Sequence, residues 1–166
     1  MIKVAGKQSL GKRDNQEDSF KLVFQDEKDP GSDILMIVAD GMGGHAGGEV
    51  ASKLGCRVFS SNFVSHATAT RPRPRLEQSL HAANAAVADK IAQNPDLRGM
   101  GCTLIAALKI DDRLSWVSVG DSILFLFRDG KLSRLNVDHS VYGELLQMVR
   151  DGKLSKAEAD QHPKRN

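Results

Sequence analysis

One stretch of the sequence restricts the possible folds more than any other, because an apolar run ends there in an acid and a cluster of glycines. The run covers residues 34–39 and is bounded by polar and glycine segments, which is typical of a buried strand. Asp40 follows this strand directly. Five glycines among residues 41–49 allow tight turns and let backbone groups approach a ligand closely. The pattern predicts a metal or phosphate site beside Asp40.

Length and composition are typical of a single globular domain. A chain of 166 residues is long enough for one core, so residues 1–166 are predicted to form one domain. The net charge of +2 gives no case for nucleic acid or an anionic membrane as a partner. Because no apolar run could span a bilayer and residues 1–7 lack the apolar core of a secretion signal, a cytoplasmic protein is expected. Cys56 and Cys102 fit no metal or redox spacing and are expected to be reduced, buried side chains.

Periodicity predicts strands and helices of an α+β protein. Alternation from Phe20 to Phe24 predicts a strand, and Met1–Ala5 is a weaker strand candidate. Helical spacing follows the glycines and returns from Leu76 to Ile91. The basic segment between these helices, residues 68–75, is predicted to be an extended, solvated linker, with docking of an acidic partner as the alternative. Closely spaced strands are predicted at residues 103–110, 114–119, 123–127 and 132–135, followed by helices over residues 136–166.

Four carboxylates lie at the ends of the predicted strands: Glu17, Asp18, Asp40 and Asp121. Oxygen-rich sites select hard ions such as Mg²⁺ or Mn²⁺. Two such ions can share a carboxylate and lower the pKa of a bridging water, which then attacks phosphorus as hydroxide. The acids therefore indicate hydrolysis of a phosphate ester. Arg13 suits the substrate side because a guanidinium binds phosphate oxygens through paired hydrogen bonds.

Five motifs in order resemble the bacterial branch of the metal-dependent type 2C protein phosphatases. They are Arg13-x-x-x-Glu17-Asp18, the segment Asp40–Glu49, Met100-Gly-x-Thr103, Gly120-Asp121-Ser122 and Asp138-His139-Ser140. The resemblance implies a four-layer α-β-β-α sandwich of two antiparallel sheets, here incomplete at the C-terminus, with residues 136–166 matching a helical flap. It also implies a signalling enzyme that removes phosphate from phosphoserine and phosphothreonine in proteins. Phosphorylated protein substrates and a cognate Ser/Thr kinase are the implied partners.

The resemblance also implies the roles of the metal-site residues. Asp40 would bridge two Mn²⁺ or Mg²⁺ ions, and the Gly41 carbonyl would bind one of them. Glu17 would hold that ion directly or through water, and Asp18 would orient the site from beside it. Asp121 matches an acid that helps to hold a third, weaker ion.

Two further residues are implied to act on the substrate. Arg13 matches the arginine that binds phosphate, and His45 is a candidate general acid that could protonate the leaving oxygen. The alternative for His45 is a loop histidine with no catalytic duty.

The sequence departs from the family pattern at Ile123, where Arg is usual, at Cys102, and at residue 166, where family members continue. Because the continuation carries two more metal-binding aspartates, we expect a fragment that is weakly active or inactive. A non-catalytic phosphoprotein-binding regulator is one alternative. The other is a dinucleotide-binding module, since residues 41–46 satisfy its glycine fingerprint. The negative charge of Asp40 and the lack of an acid between Glu49 and Glu77 oppose that module.

Overall fold

The computed structural model describes residues 3–24, 33–43, 47–66 and 71–163. The chain divides into two compact units, Met1–Val117 and Ser118–Asn166. A single domain over residues 1–166 stays a prediction. No helix in the described ranges is long and apolar enough to cross a bilayer.

The first unit is built on an antiparallel sheet in which the apolar run forms the central strand. Strand β2 (Ile34–Met42) is antiparallel to β1 (Asp18–Phe24), to the short β3 (Gly101–Cys102) and to β4 (Leu104–Ile110). Strand β5 (Arg113–Val119) completes the order β1-β2-β4-β5, so β1 and β5 are the outer strands. The predicted strand at 34–39 is confirmed, and it continues through Met42.

Two long helices accompany this sheet. Helix α1 (Gly47–Ser65) packs on the face formed by Leu35, Ile37 and Ala39, and its Phe59 and Phe63 are buried against them. Helix α2 (Pro72–Gln93) packs on α1 and is followed by a 3-10 helix, Pro95–Leu97. The alternation of β2 therefore decides which of its residues enter the core and which lie on the opposite face.

The second unit contains a hairpin and two helices. Strands β6 (Phe125–Arg128) and β7 (Lys131–Arg134) form a two-stranded antiparallel sheet. Their turn has positive φ at both Asp129 and Gly130, the type I′ geometry that an Asp-Gly pair favours. Helices α3 (Val141–Arg150) and α4 (Lys156–Gln161) follow, and α4 begins with the predicted capping box of Ser155 and Glu158.

The prediction of an α+β fold with two antiparallel sheets is confirmed, while their stacking as a four-layer sandwich stays a prediction. The antiparallel pairing of β2 with β4 also contradicts the strand-helix-strand unit of a dinucleotide-binding module. Two local predictions were wrong. The described residues of the candidate strand at Met1–Ala5 are not in a strand, and residues 72–75 of the expected linker form the first turn of α2.

Helix α2 begins earlier than predicted because Pro72 occupies its first position. A proline there loses no helical hydrogen bond, and its fixed φ suits a helix. Arg75 then anchors the first turn, since its Nε donates a hydrogen bond to the Phe63 carbonyl oxygen at 2.7 Å. Its guanidinium also lies 3.5 Å from the centre of the Phe63 ring. Thr68 to Thr70 of the expected linker lie outside the described residues.

Candidate metal centre

Two of the predicted site acids lie opposite each other on neighbouring strands. Asp18 in β1 is the register partner of Asp40 in β2. The adjacent pair is hydrogen-bonded, since the Gly41 amide donates to the Glu17 carbonyl oxygen at 3.1 Å. Asp18 and Asp40 therefore form the narrow, non-hydrogen-bonded pair, in which Cα atoms lie about 4.5 Å apart. Because residues 35, 37 and 39 face α1, alternation places both acids on the opposite face of the sheet.

Thr103 holds the backbone of Asp40 in place. The Thr103 amide donates to the Asp40 carbonyl oxygen at 2.8 Å, and the Asp40 amide donates to Thr103 Oγ1 at 3.1 Å. Thr103 is only 6% exposed, so its hydroxyl is part of the core. Thr103 belongs to the motif Met100-Gly-x-Thr103, but no role was predicted for it. A hydroxylated residue at the start of the predicted strand at residues 103–110 was the available clue.

Glu17 lies against the beginning of α1. A Cβ built at Gly48 would lie 2.7 Å from Glu17 Oε1, so the missing side chain leaves room for the carboxylate. A Cβ built at Gly41 would overlap the Gly48 carbonyl oxygen and lie 2.7 Å from the Glu17 carbonyl oxygen. The two glycines thus let β2, α1 and Glu17 meet closely. A carboxylate here also interacts favourably with the positive end of the helix dipole.

Of the two residues predicted to act on the substrate, the structure describes Arg13 but not His45. Arg13 is exposed and follows a turn in which its amide donates to the Leu10 carbonyl oxygen at 3.1 Å. His45 lies outside the described residues, so its role as a general acid stays a prediction. Beside Asp18 opens a cavity of about 350 Å³, whose lining includes Lys21 and Glu49.

Asp121 belongs to the second unit, where a buried asparagine holds its loop. Asp121 is exposed and follows Gly120, whose φ is +94°. Asn136 Nδ2 donates to the Ser122 carbonyl oxygen at 2.8 Å, and Asn136 Oδ1 accepts from the Leu124 amide at the same distance. This role of Asn136 was not predicted from the sequence. Its position between two apolar residues was the only clue to a buried polar clamp.

The last motif of the series packs beside this loop. The His139 amide donates to the Gly120 carbonyl oxygen at 3.2 Å. Burial acts to raise the pKa of Asp138, but hydrogen bonds from Ser140 and the charge of Arg134 outweigh it and lower that pKa. Asp138 is thus held ionised at the start of α3, where Ser140 is the N-cap and accepts from the Gly143 amide at 3.0 Å.

The donors of the first unit fit one side of a site for a hard divalent ion. Asp18 and Asp40 bring two carboxylates together, and like charges directly opposite each other destabilise a sheet unless a cation offsets them. Within the described ranges, no three Asp, Glu, His or Cys side chains form a metal-binding group. These residues therefore supply a carboxylate pair rather than a complete set of ligands.

Comparison with known proteins identifies the family. The model of the family described as Protein phosphatase 2C matches residues 5–162 of the chain. The chain belongs to the protein phosphatase 2C family. This membership confirms the resemblance to type 2C phosphatases that the five motifs indicated.

Two bacterial serine/threonine phosphatases are similar in sequence to this chain. The serine/threonine protein phosphatase PstP of Mycobacterium tuberculosis is 39% identical over 136 residues, which cover 80% of this chain and 25% of PstP. The serine/threonine phosphatase stp of Listeria innocua is 34% identical over 157 residues, covering 93% of this chain and 60% of stp. This 2C-family chain therefore spans about a quarter and three-fifths, respectively, of the lengths of these two relatives.

A solved 2C-family structure supports the same fold. It is the catalytic domain of PstP in complex with two manganese ions, with a TM-score of 0.68 and 34% sequence identity. The similarity covers 89% of this chain and 58% of the solved one.

Proposed function

We propose that the protein is a phosphatase that hydrolyses phosphoserine and phosphothreonine in other proteins with Mn²⁺ or Mg²⁺. The observation that carries this proposal is the opposed pair Asp18 and Asp40 within a chain that matches the 2C family over residues 5–162. Two relatives are named serine/threonine phosphatases, and PstP was solved with two manganese ions. The proposal extends to the cytoplasm as the location and to a cognate Ser/Thr kinase as the enzyme that supplies the substrates.

The metal would be held by oxygen atoms of this chain. In this proposal, Asp40, the Gly41 carbonyl and Glu17 would hold the metal. Asp18 would orient the site from the neighbouring strand, and Asp121 would support a weaker ion. A bound divalent ion supplies Lewis acidity and lowers the pKa of a coordinated water. The Thr103 hydroxyl contributes by holding the backbone amide of Asp40 in place.

Two residues act on the phosphate itself in this proposal. The exposed guanidinium of Arg13 binds phosphate oxygens through paired, charge-assisted hydrogen bonds and stays protonated at any working pH. His45 donates a proton to the leaving oxygen of the serine or threonine side chain.

A non-catalytic phosphoprotein-binding protein is the second candidate. It is favoured by one observation, namely that the described residues contain no cluster of three or more metal-ligating side chains. Such a protein would bind phosphopeptides through Arg13 without releasing phosphate.

The test combines metal binding with phosphate release from a phosphothreonine peptide. Titration calorimetry should show Mn²⁺ binding that Asp40→Asn abolishes. Phosphate release by the 166-residue chain should be slow, abolished by a chelator and at least about tenfold lower in Asp40→Asn, because a shared ligand is lost. The exposed helix residue Asp89 supplies the control, since Asp89→Asn makes the same charge change outside the site.

Each result decides between the two candidates. Phosphopeptide binding with neither Mn²⁺ binding nor phosphate release would replace the phosphatase by the non-catalytic alternative. Robust turnover would contradict the expectation that this polypeptide is weakly active.

A further inference from the structure

The first unit carries a second candidate site at the opposite end of its sheet from Asp40. A cavity of about 670 Å³ lies where the beginning of α2 meets the turn between β4 and β5. A second cavity of about 410 Å³ shares the lining residues Arg73 and Ser115 with it, so the two cavities lie side by side. We call this cleft the arginine groove and define it by Arg71, Arg73, Arg113, Asp111, Ser115 and Trp116.

We propose that the arginine groove docks an extended, acidic segment of the protein substrate at a distance from the metal centre. The inference rests on the proposed phosphatase function for the identity of the partner as a substrate. Three features of the first unit support docking in the groove: its charge, the outer strand β5 and the exposed apolar surface of Trp116.

The charges of the groove favour an anionic partner. Three arginines, Arg71, Arg73 and Arg113, line the groove together with two acids, Asp111 in the larger cavity and Glu77 in the smaller one, so arginines outnumber acids by one. Among the described residues, neither Arg71 nor Arg113 has an ion-pair partner. Arg73 pairs through Nε with Glu77 at 2.8 Å, but its side chain is 87% exposed. An exposed pair of this kind contributes little stability and can be exchanged for a partner's carboxylate.

Arginine side chains, rather than helix amides, must provide the recognition. Pro72 and Pro74 occupy the first turn of α2 and have no N–H groups to donate. The anchored Arg75, only 5% exposed, fixes the beginning of the helix against the carbonyl of Phe63. The backbone that carries Arg71 and Arg73 is therefore held in place by Arg75.

The shape of the groove favours an extended peptide. Ser115, Trp116 and Val117 are consecutive residues of β5, yet all three line the smaller cavity. Because alternate side chains point to opposite faces of a sheet, a cavity lined by all three residues fits a position at the outer edge of the strand. Strand β5 is an outer strand of its sheet, so its outward backbone groups can pair with an added strand. Trp116, 40% exposed, offers an apolar contact beside them.

The distance from the metal centre follows from the strand register. Ile110, which lines the larger cavity, follows Lys109, the register partner of Ile34. Asp40 lies six residues further along β2, and a rise of about 3.3 Å per residue gives a separation of about 20 Å. A substrate that engages both sites therefore needs at least about six extended residues between its acidic segment and its phosphorylated residue.

Trp116 provides a direct test because it is the only tryptophan of the chain. The probe is an unphosphorylated 12-residue peptide with several glutamates and one leucine, titrated while tryptophan fluorescence is recorded. We expect a saturable change that weakens with added salt. The double variant Arg71→Ala/Arg113→Ala should bind about fivefold more weakly, because two charge pairs are lost. Its matched control is Arg57→Ala/Arg98→Ala, which removes two exposed arginines outside the groove.

The outcomes separate docking from general charge attraction and from another class of partner. Equal weakening in both double variants, or equal binding of a lysine-containing counterpart peptide, would overturn the proposal. Tighter binding of a short single-stranded oligonucleotide would overturn it in favour of nucleic acid.

Turnover separates this proposal from the phosphatase proposal. If both hold, a phosphopeptide joined to the acidic segment by eight residues should have a lower KM than one joined by two. Arg71→Ala/Arg113→Ala should remove that difference and leave hydrolysis of p-nitrophenyl phosphate unchanged. Absence of turnover on every substrate together with absence of Mn²⁺ binding would reject the phosphatase proposal, whereas the fluorescence titration would still decide whether the groove binds acidic peptides.

Discussion

At the scale of single residues, the site depends on close approaches that only small residues permit. Asp18 and Asp40 face each other because the pairing of Glu17 with Gly41 sets the register at that end of the sheet. The sequence correctly placed acids at strand ends, since an apolar run followed by an acid is a local pattern. The register could not be predicted in the same way, because it depends on how two separate strands pack against α1. The contact of Gly41 with Gly48 likewise joins two elements.

Gly41→Ala should therefore destabilise the first unit strongly. The added methyl group would overlap the Gly48 carbonyl oxygen, and backbone at that point cannot move without shifting α1. We expect the free energy of unfolding to fall by about 2 kcal/mol or more, as in other overpacked sites. Urea unfolding followed by circular dichroism measures the change.

A neighbouring glycine provides the control for this variant. A Cβ at Gly101 would lie 3.7 Å from Met42 Cε, an ordinary contact, so Gly101→Ala should cost much less. Equal losses in the two variants would show that the close approach of Gly41 is unimportant.

At the scale of elements, sequence patterns predicted most strands and helices but misjudged the beginning of α2 and the strand candidate at Met1–Ala5, whose described residues are not in a strand. The strands and the Asp-Gly hairpin follow from local alternation and turn chemistry, and the capping box of α4 is a local pattern as well. The beginning of α2 does not follow from a local pattern. The local Arg-Pro pattern predicts an extended linker. The segment is helical because Arg75 contacts Phe63 on another helix, and the local pattern carries no information on that contact. Tertiary contacts overrode the local preference at that point.

Arg75→Ala should loosen the junction of α1 and α2. The variant removes a buried, charge-assisted hydrogen bond and the stacking of the guanidinium on Phe63, and it leaves the Phe63 carbonyl without this donor. The free energy of unfolding should fall by about 2–4 kcal/mol, judged from comparable buried polar groups. Arg73→Ala is the matched control, since that side chain is 87% exposed and its pair with Glu77 contributes little. A similar cost in both would contradict the anchoring role of Arg75.

At the scale of the whole molecule, the five motifs are divided between the two compact units. Arg13, Glu17, Asp18 and Asp40 belong to Met1–Val117, and Asp121 belongs to Ser118–Asn166. Their order along the chain was enough to predict the family, because a series of short motifs is far more specific than any one of them. Whether the motifs lie close together in space could not be predicted from their order, since local patterns carry no information on how distant strands associate. Asp121 as a metal ligand accordingly stays a prediction.

The reactivity of the two cysteines depends on whether the first unit is folded. Both are free, as predicted; Cys56 is buried, whereas Cys102 is only partly buried. Burial first, and then the nearby Cys102, raise the pKa of the Cys56 thiol to about 12, against a smaller opposing effect of Lys21. Burial and the charge of Asp40 also raise the pKa of Cys102. Because a raised pKa favours the neutral thiol, this contribution to stability is complete below the ordinary value of 9.0 and is lost as the pH rises towards 12.

Cys56 should consequently resist alkylation in the folded chain. With a pKa of about 12, only about one thiol in ten thousand is ionised at pH 8, and the thiolate is the reactive form. Iodoacetamide at pH 8, followed by mass spectrometry of peptides, should label Cys56 only in molecules that have opened, and rapidly in urea. The destabilised Gly41→Ala variant should be labelled faster than Gly101→Ala, because its open form is more populated. Rapid labelling of Cys56 in the native chain, at a rate independent of these variants, would contradict its burial between α1 and the sheet.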